Sequence, residues 1–159
     1  MMRTDTMDYV APHSGFKSRL LAARALLERA PFSVVQLACR LAIAGVFLRA
    51  GLQKLSGWET TLALFANEYK VPLLSPEIAA AVAAFTEVGC SILLIAGLAT
   101  RLATLPFLGM IAVIQTFVYP EAWPEHLVWA SILLVLLARG GGAVSLDRLI
   151  ARWVGARRV

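Results

Sequence analysis

The side chains best suited to chemistry in this chain stand where a soluble protein would not put them. Arg40, Lys54, Glu87 and Gln115 lie within or beside long apolar stretches, and Tyr119, His126 and Trp129 gather around a short acidic segment. A charge at the centre of a bilayer costs about 2.5–3.5 kcal/mol on insertion scales, so it is retained mainly where it is paired or serves a function. Gln36, Arg40, Phe47, Gly51 and Lys54 share one helical stripe, and Ala83, Ala84, Glu87, Cys90 and Ser91 share another. Small residues let helices approach closely and polar ones prefer a bundle interior. Two readings follow. In one, Arg40 and Glu87 form a structural ion pair. In the other, Arg40, Lys54, Glu87 and Gln115 line a buried polar pocket that binds a head group or relays protons. At 1.5 Å per residue, Glu87 should stand about 6 Å farther from the inner surface than Arg40, within reach of an extended arginine, so the two are expected to meet.

His126 and Trp129 are one turn apart and share a helix face. With Tyr119 they are candidates for the outer mouth of a pocket that takes a ring-shaped ligand such as a quinone. The plainer reading is an aromatic belt at the membrane surface. Only two histidines occur, His13 and His126, so a preformed histidine metal cluster is excluded. Cys39 and Cys90 make no C-x-x-C pair, which removes the usual motif of a thiol oxidoreductase and leaves them as small packing residues. Neither a P-loop, a G-x-S-x-G elbow nor H-E-x-x-H is present.

The elements that must position these residues are helices in a membrane. The chain has 159 residues, 59% of them hydrophobic, and a mean hydropathy of +0.73, too apolar for an ordinary soluble domain. Runs long enough to cross a bilayer core of about 30 Å appear at 32–52, 77–98, 102–118 and 127–138. The third extends through Tyr119 and the fourth back to Pro124. The expected architecture is all-α: an integral membrane four-helix bundle with an amphipathic interfacial helix at each end. Residues 1–31 form a cytoplasmic segment, 32–138 the bundle, and 139–159 a basic amphipathic tail.

Orientation follows from charge. Arg3, Lys17, Arg19, Arg24 and Arg29 precede the first run, and Arg139, Arg148, Arg152, Arg157 and Arg158 follow the last. The link between the second and third runs carries Arg101, whereas residues 119–126 carry Glu121 and Glu125 and no basic residue. Basic residues stay on the cytoplasmic side, so both termini are expected inside the bacterial cytoplasmic membrane. The first apolar run comes too late for a cleavable signal and is expected to serve as both targeting signal and anchor. The net charge of +5 marks topology and contact with anionic lipid, not nucleic acid. Phe16, Leu20, Ala23 and Leu27 form the apolar face of the first amphipathic helix, and Leu146, Leu149, Ile150 and Trp153 that of the last, which Ser145 can cap.

An ordered series of motifs then becomes visible: R-L-A-I-A-G-V-F-L-R-A-G-L-Q-K-L-S-G-W at 40–58, Y-K-V-P at 69–72, E-V-G-C-S-I-L-L-I-A-G-L-A-T-R at 87–101, F-V-Y-P-E-A-W-P-E-H-L-V-W-A at 117–130 and G-G-G-A-V-S-L-D at 140–147. Over residues 35–150 the chain resembles the DoxX family of small bacterial four-helix membrane proteins. The resemblance implies a membrane subunit or small enzyme of redox metabolism, an oxidoreductase component linked to quinone, sulfur, oxidative stress or metal stress, with soluble or membrane redox partners. The alternatives are a non-catalytic scaffold that recruits soluble partners, and a small transporter, which four helices could form only as an oligomer.

Overall fold

In the computed structural model, residues 15–29 and 31–156 are described, and every element among them is helical. Arg3, His13, Arg157 and Arg158 lie outside the described residues, as do the side chains of Ala23 and Leu27. Contacts divide the chain into residues 1–31 and 32–159. In the first unit, helix α1 (Gly15–Arg29) presents exposed Phe16, Leu20 and Leu21.

The second unit contains four helices long and apolar enough to cross a membrane: Phe32–Ser56, Pro76–Ala96, Thr100–Val118 and Pro120–Arg139. The protein is therefore a multi-pass, all-α membrane bundle. The fourth span begins earlier than its apolar run, at Pro120 and Pro124. Proline is tolerated in a first helical turn, where the missing N–H has no intrahelical partner, and Glu121 and Glu125 favour the positive end of a helix dipole. Polar residues thus belong to the helix start.

The first span is one continuous helix, α2 (Phe32–Ser56), followed by the short α3 (Trp58–Leu64). The second span is built from α4 (Pro76–Phe85) and α5 (Ser91–Ala96), joined by a π-helical turn at Thr86–Cys90. Ser75 caps α4 through a hydrogen bond from the Ile78 N–H, with Pro76 in the first turn. The third span is α6 (Thr100–Val113) extended by a π turn at Ile114–Val118, and the fourth is largely α7 (Trp123–Arg139). Each span packs on the next, and α7 returns to α2, which closes the bundle. Its core joins Ile43, Phe47, Leu94, Phe107, Ile111, Leu133 and Leu136, and the Phe47 and Phe107 rings lie 4.5 Å apart. Cys90 belongs to this core, Cys39 packs against it, and both are free thiols. Gly51 permits the close approach of the first two spans. A Cβ there would fall 2.9 Å from Glu87 Cβ and 2.7 Å from Val88 Cγ2.

The end of the bundle that carries Arg40 and the start of α8 is tied by polar groups. Arg40, 2% exposed, donates from Nε to the Leu94 carbonyl at 2.7 Å and from Nη2 to Ile95 at 2.7 Å. Its Nη1 donates to Gly141 at 2.9 Å and Val144 at 2.5 Å. Leu94 and Ile95 lie in the last turn of α5, whose carbonyls lack the i+4 donors of a continuing helix. Gly97, at φ +67°, ends that helix with the paired bonds Gly97 N–H to Leu94 and Leu98 N–H to Leu93. Gln36 donates to the Arg139 and Gly140 carbonyls at 3.1 and 2.8 Å. Beyond the glycines, α8 (Leu146–Ala156) starts at Ser145, whose Oγ accepts from the Arg148 N–H, and its Leu149, Ile150 and Trp153 are exposed.

Asp147 completes this end. Its two carboxylate oxygens accept from the N–H groups of Ala99 and Thr100 at 2.7 and 2.9 Å, capping the third span from a distant part of the chain. Burial alone would raise the carboxyl pKa. Hydrogen bonds from Thr100 and Ala99, with the nearby Arg40 charge, outweigh it and hold the group below its ordinary value. A depressed folded pKa gives stability that is present above the unfolded value of about 3.9 and is lost as pH falls through the lower folded one. Asp147→Asn should lower the melting temperature at neutral pH by about 2–4 °C, the effect of roughly 1 kcal/mol in a chain of this size. In melts taken across a pH series, the gap between parent and variant should close below about pH 3.9. A gap that stays constant throughout would remove the carboxylate charge as its cause.

Candidate functional site

At the opposite end the spans part. The start of the second span, α4, packs on α2 and the loop helices, whereas its contact with α6 comes through the π turn and α5. Pro106, inside α6, lacks the N–H that would continue the helical ladder and lines the resulting space. The space is a cavity of about 580 Å³, a size typical of small-molecule sites. Its walls are largely apolar, with Val46, Phe47, Ala83, Met110 and Val113 among them, and its polar groups are few.

Three of those groups are ionic, Lys54, Glu87 and Glu125, and the first two form a pair. Lys54 Nζ lies 2.8 Å from Glu87 Oε1, with the side chains 20% and 5% exposed. The other carboxylate oxygen, Glu87 Oε2, is fully enclosed and accepts no hydrogen bond among the described residues. Glu87 and Thr86 both come from the π turn of the second span. Such turns widen the helix locally and often mark functional positions. The π turn after α3, Phe65–Tyr69, supplies Phe65 and Tyr69 to the same cavity.

His126, 5% exposed, faces the cavity from the first turns of α7. Its Nδ1 lies 2.7 Å from Gln115 Oε1, and the Gln115 amide nitrogen donates to the Pro120 carbonyl at 2.8 Å. That carbonyl can only accept, so it fixes the orientation of the amide and presents Oε1 to the histidine. Nδ1 of the neutral ring must then carry the proton, and Nε2 is left with its lone pair and no partner among the described residues. Gln115, from the third π turn, therefore acts on the cavity through His126 and does not line it. The Trp129 ring lies 5.7 Å from His126 and 5.2 Å from Phe47, turned inward, while Trp123 is exposed at the surface.

Tyr119 closes the mouth. Its hydroxyl donates to Glu68 Oε1 and its ring stands edge-on to Tyr69 at 5.7 Å. The hydrogen bond to Glu68 and then burial push the phenol well above its ordinary pKa, so it remains a protonated donor.

Of the residues marked by the sequence, Lys54, Glu87, Tyr119, His126 and Trp129 thus surround one cavity, with Gln115 directly behind it. Arg40 does not join them, and the expected Arg40–Glu87 pair is corrected. Arg40 is level with Leu94–Gly97, at the end of the second span, and its guanidinium is spent on backbone carbonyls. Glu87 is level with Gly51 and takes Lys54 instead. The stripe on the first helix is as expected. The offset between the two helices is larger than counting from their apolar ends suggests, because α2 extends below the last turn of α5. Tyr69, Glu68 and Asp147 received no site role from the sequence. The helix-breaking Y-K-V-P stretch that begins with Tyr69 was the signal for the first two, since Lys70 within it and Leu73 just after it take positive φ.

A family model described as DoxX matches residues 35–120. No curated protein and no solved structure matches the chain.

Proposed function

The chain belongs to the DoxX family, and from that premise we propose that it is a membrane subunit or small enzyme of redox metabolism that binds a ring-bearing, lipid-soluble ligand of the quinone class in the cavity. The observation that carries the reading is an apolar cavity of about 580 Å³ lined by Glu87, whose buried carboxylate oxygen Oε2 has no hydrogen-bond partner among the described residues. A buried polar atom without a partner costs about 1–3 kcal/mol, and a ligand that satisfies it recovers that cost. Phe47, Tyr69, Tyr119 and Trp129 would hold the ring, and Lys54, Glu87 and His126 its oxygens. A quinone supplies two-electron, two-proton chemistry when bound. The chain's own part is to exclude water, orient the ring and hold protons at Glu87 and His126.

The test is binding by the purified full chain. Titration with 1,4-naphthoquinone and with 1,4-dihydroxynaphthalene, followed by tryptophan emission, should give saturable binding of at least one form. His126→Ala should weaken it about tenfold, the loss of one hydrogen bond or about 1.4 kcal/mol, in a protein that still folds although the Gln115 amide loses its partner. If neither form binds, and the protein instead retains a soluble enzyme, the scaffold reading takes its place.

The same reading places the protein in the bacterial cytoplasmic membrane with the Arg40 end inside. Basic residues favour that side, and the exposed apolar face of α8, flanked by Arg148 and Arg152, suits anionic head groups. Reporters active only outside the cytoplasm should work when fused after Asn67 and after Trp123. Strong activity from a fusion after Ala156 would reverse the orientation.

A further inference from the structure

We infer that the cavity selects a ring that donates hydrogen bonds over one that only accepts them, so that its preferred ligand is the dihydroxy form of a two-electron redox pair and not the dione. The inference rests on the reading of the cavity as a ring-binding site, and it follows from which polar atoms there lack partners.

Two of the polar groups at the cavity are acceptors with no partner among the described residues, and the Trp129 indole N–H, which also lines it, donates to a hydroxyl or a carbonyl oxygen alike. Glu87 is paired through Oε1 with the Lys54 ammonium at 2.8 Å, and its enclosed Oε2 offers only lone pairs. His126 offers the lone pair of Nε2, because the chain Pro120 carbonyl, Gln115 amide, His126 Nδ1 locks the proton on the other nitrogen. A ring hydroxyl can donate to His126 Nε2 and to the Glu87 carboxylate, both at the cavity wall. A carbonyl oxygen placed against either would set two acceptors together and leave both unsatisfied in a site with little water. Lys54 does not reverse the preference. Its remaining N–H groups can donate to a carbonyl, but a hydroxyl oxygen accepts from them equally well while its proton goes to Glu87. The hydroxyls of Thr86 and Tyr69, which also line the cavity, rotate to serve either form and do not discriminate. A site that hydrogen-bonds a hydroxyl rejects the analogue lacking it, because its own buried acceptor is stranded.

The experiment is calorimetric titration of the purified, detergent-solubilised full chain under anaerobic conditions at about pH 8, where imidazoles are neutral. The probes are 1,4-dihydroxynaphthalene, 1,4-naphthoquinone and 1,4-dimethoxynaphthalene, the last being redox-inert with oxygens that only accept. The diol should bind at least about tenfold tighter than the dione and the diether, the consequence of leaving one or both acceptors unpaired. Glu87→Gln replaces an acceptor with an amide that can donate. It should weaken the diol, strengthen the dione and bring the ratio near one, which a merely structural role for Glu87 would not do. His126→Gln makes the same exchange at the other acceptor, and it carries the test if Glu87→Gln does not fold. Equal or tighter binding of the dione by the parent chain would overturn the inference while leaving the ring-binding cavity in place. Binding of none of the three would overturn that cavity reading and the inference with it. A tenfold preference that survives in both folded variants would assign the selectivity to other groups and also overturn the inference.

Discussion

Arg40→Met should leave little folded protein in the membrane, a stability loss among the largest expected of a single substitution in the bundle. Arg40 is nearly fully buried and uses four of its five N–H groups on four carbonyls, two at the end of the second span and two in the glycine-rich segment after the fourth. Among the described residues only the Leu94 carbonyl has a second donor, the Gly97 N–H. Stranding a buried carbonyl costs about 1–3 kcal/mol, and partial relaxation of the loop still leaves a loss of about 4 kcal/mol, against a total stability of about 5–15 kcal/mol. Arg40→Lys keeps the charge but presents three donors from one point where a planar fork is needed, so an intermediate loss is expected. Gly97→Ala should reproduce part of the damage from the other side. Its φ of +67° disfavours a side chain, and a Cβ there would fall 2.7 Å from Arg40 Cζ. Thermal melts of the purified variants give the order parent, lysine, methionine. An Arg40→Met protein as stable as the parent would show that the carbonyls are satisfied otherwise. Arg40 lies roughly four turns from Lys54 along one helix, about 21 Å at 1.5 Å per residue. Its loss should therefore act on folding and not on the relative affinities of folded protein for ring ligands.

The four spans were legible because a bilayer imposes a length and a composition that single residues cannot disguise. The polar stripes were legible for the related reason that buried charge is rare enough to be noticed. Partners were harder to read. Lys54 and Arg40 sit on the same stripe, and which of them meets Glu87 depends on how far one helix slides along its neighbour. That offset is set by contacts such as Gly51 against Glu87 and Val88, to which hydropathy is blind. The three π turns are equally silent in the sequence, since no residue type demands them, yet they carry Tyr69, Thr86, Glu87 and Gln115. Asp147 caps a helix that begins 47 residues earlier, and local capping patterns cannot register so distant a partner. His126 and Trp129 were the reverse case. Their one-turn spacing on a single helix is local information that put both on one face, and the contacts with Phe47 and the core show that face turned inward rather than set in a surface belt.

The Lys54–Glu87 pair separates structure from function most sharply. Lys54→Met leaves a carboxylate that is 5% exposed without its cation, and Glu87→Leu leaves an ammonium among apolar walls. Breaking a buried pair from one side typically costs about 3–5 kcal/mol, so each single variant should lose folded protein. Replacing both partners with apolar residues of similar volume removes the desolvation cost together with the attraction, and such exchanges are often neutral or stabilising by about 1–4 kcal/mol. The double variant Lys54→Met with Glu87→Leu should therefore recover parental stability or exceed it. Were the pair there only to hold the first two spans together, the recovered protein would bind ring ligands as the parent does. We expect instead a protein that melts at or above the parental temperature and has lost at least about tenfold in affinity for 1,4-dihydroxynaphthalene, since the hydroxyl no longer finds Glu87 Oε2 or Lys54 Nζ. A double variant with parental affinity would reduce the pair to a structural tie and remove Glu87 from the site. Single variants as stable as the parent would mean that the pair is solvated and not sealed within the bundle. The three variants, each measured for melting temperature and for affinity, distinguish these cases, because only a ligand-bearing ion pair yields two unstable singles and a stable double that no longer binds.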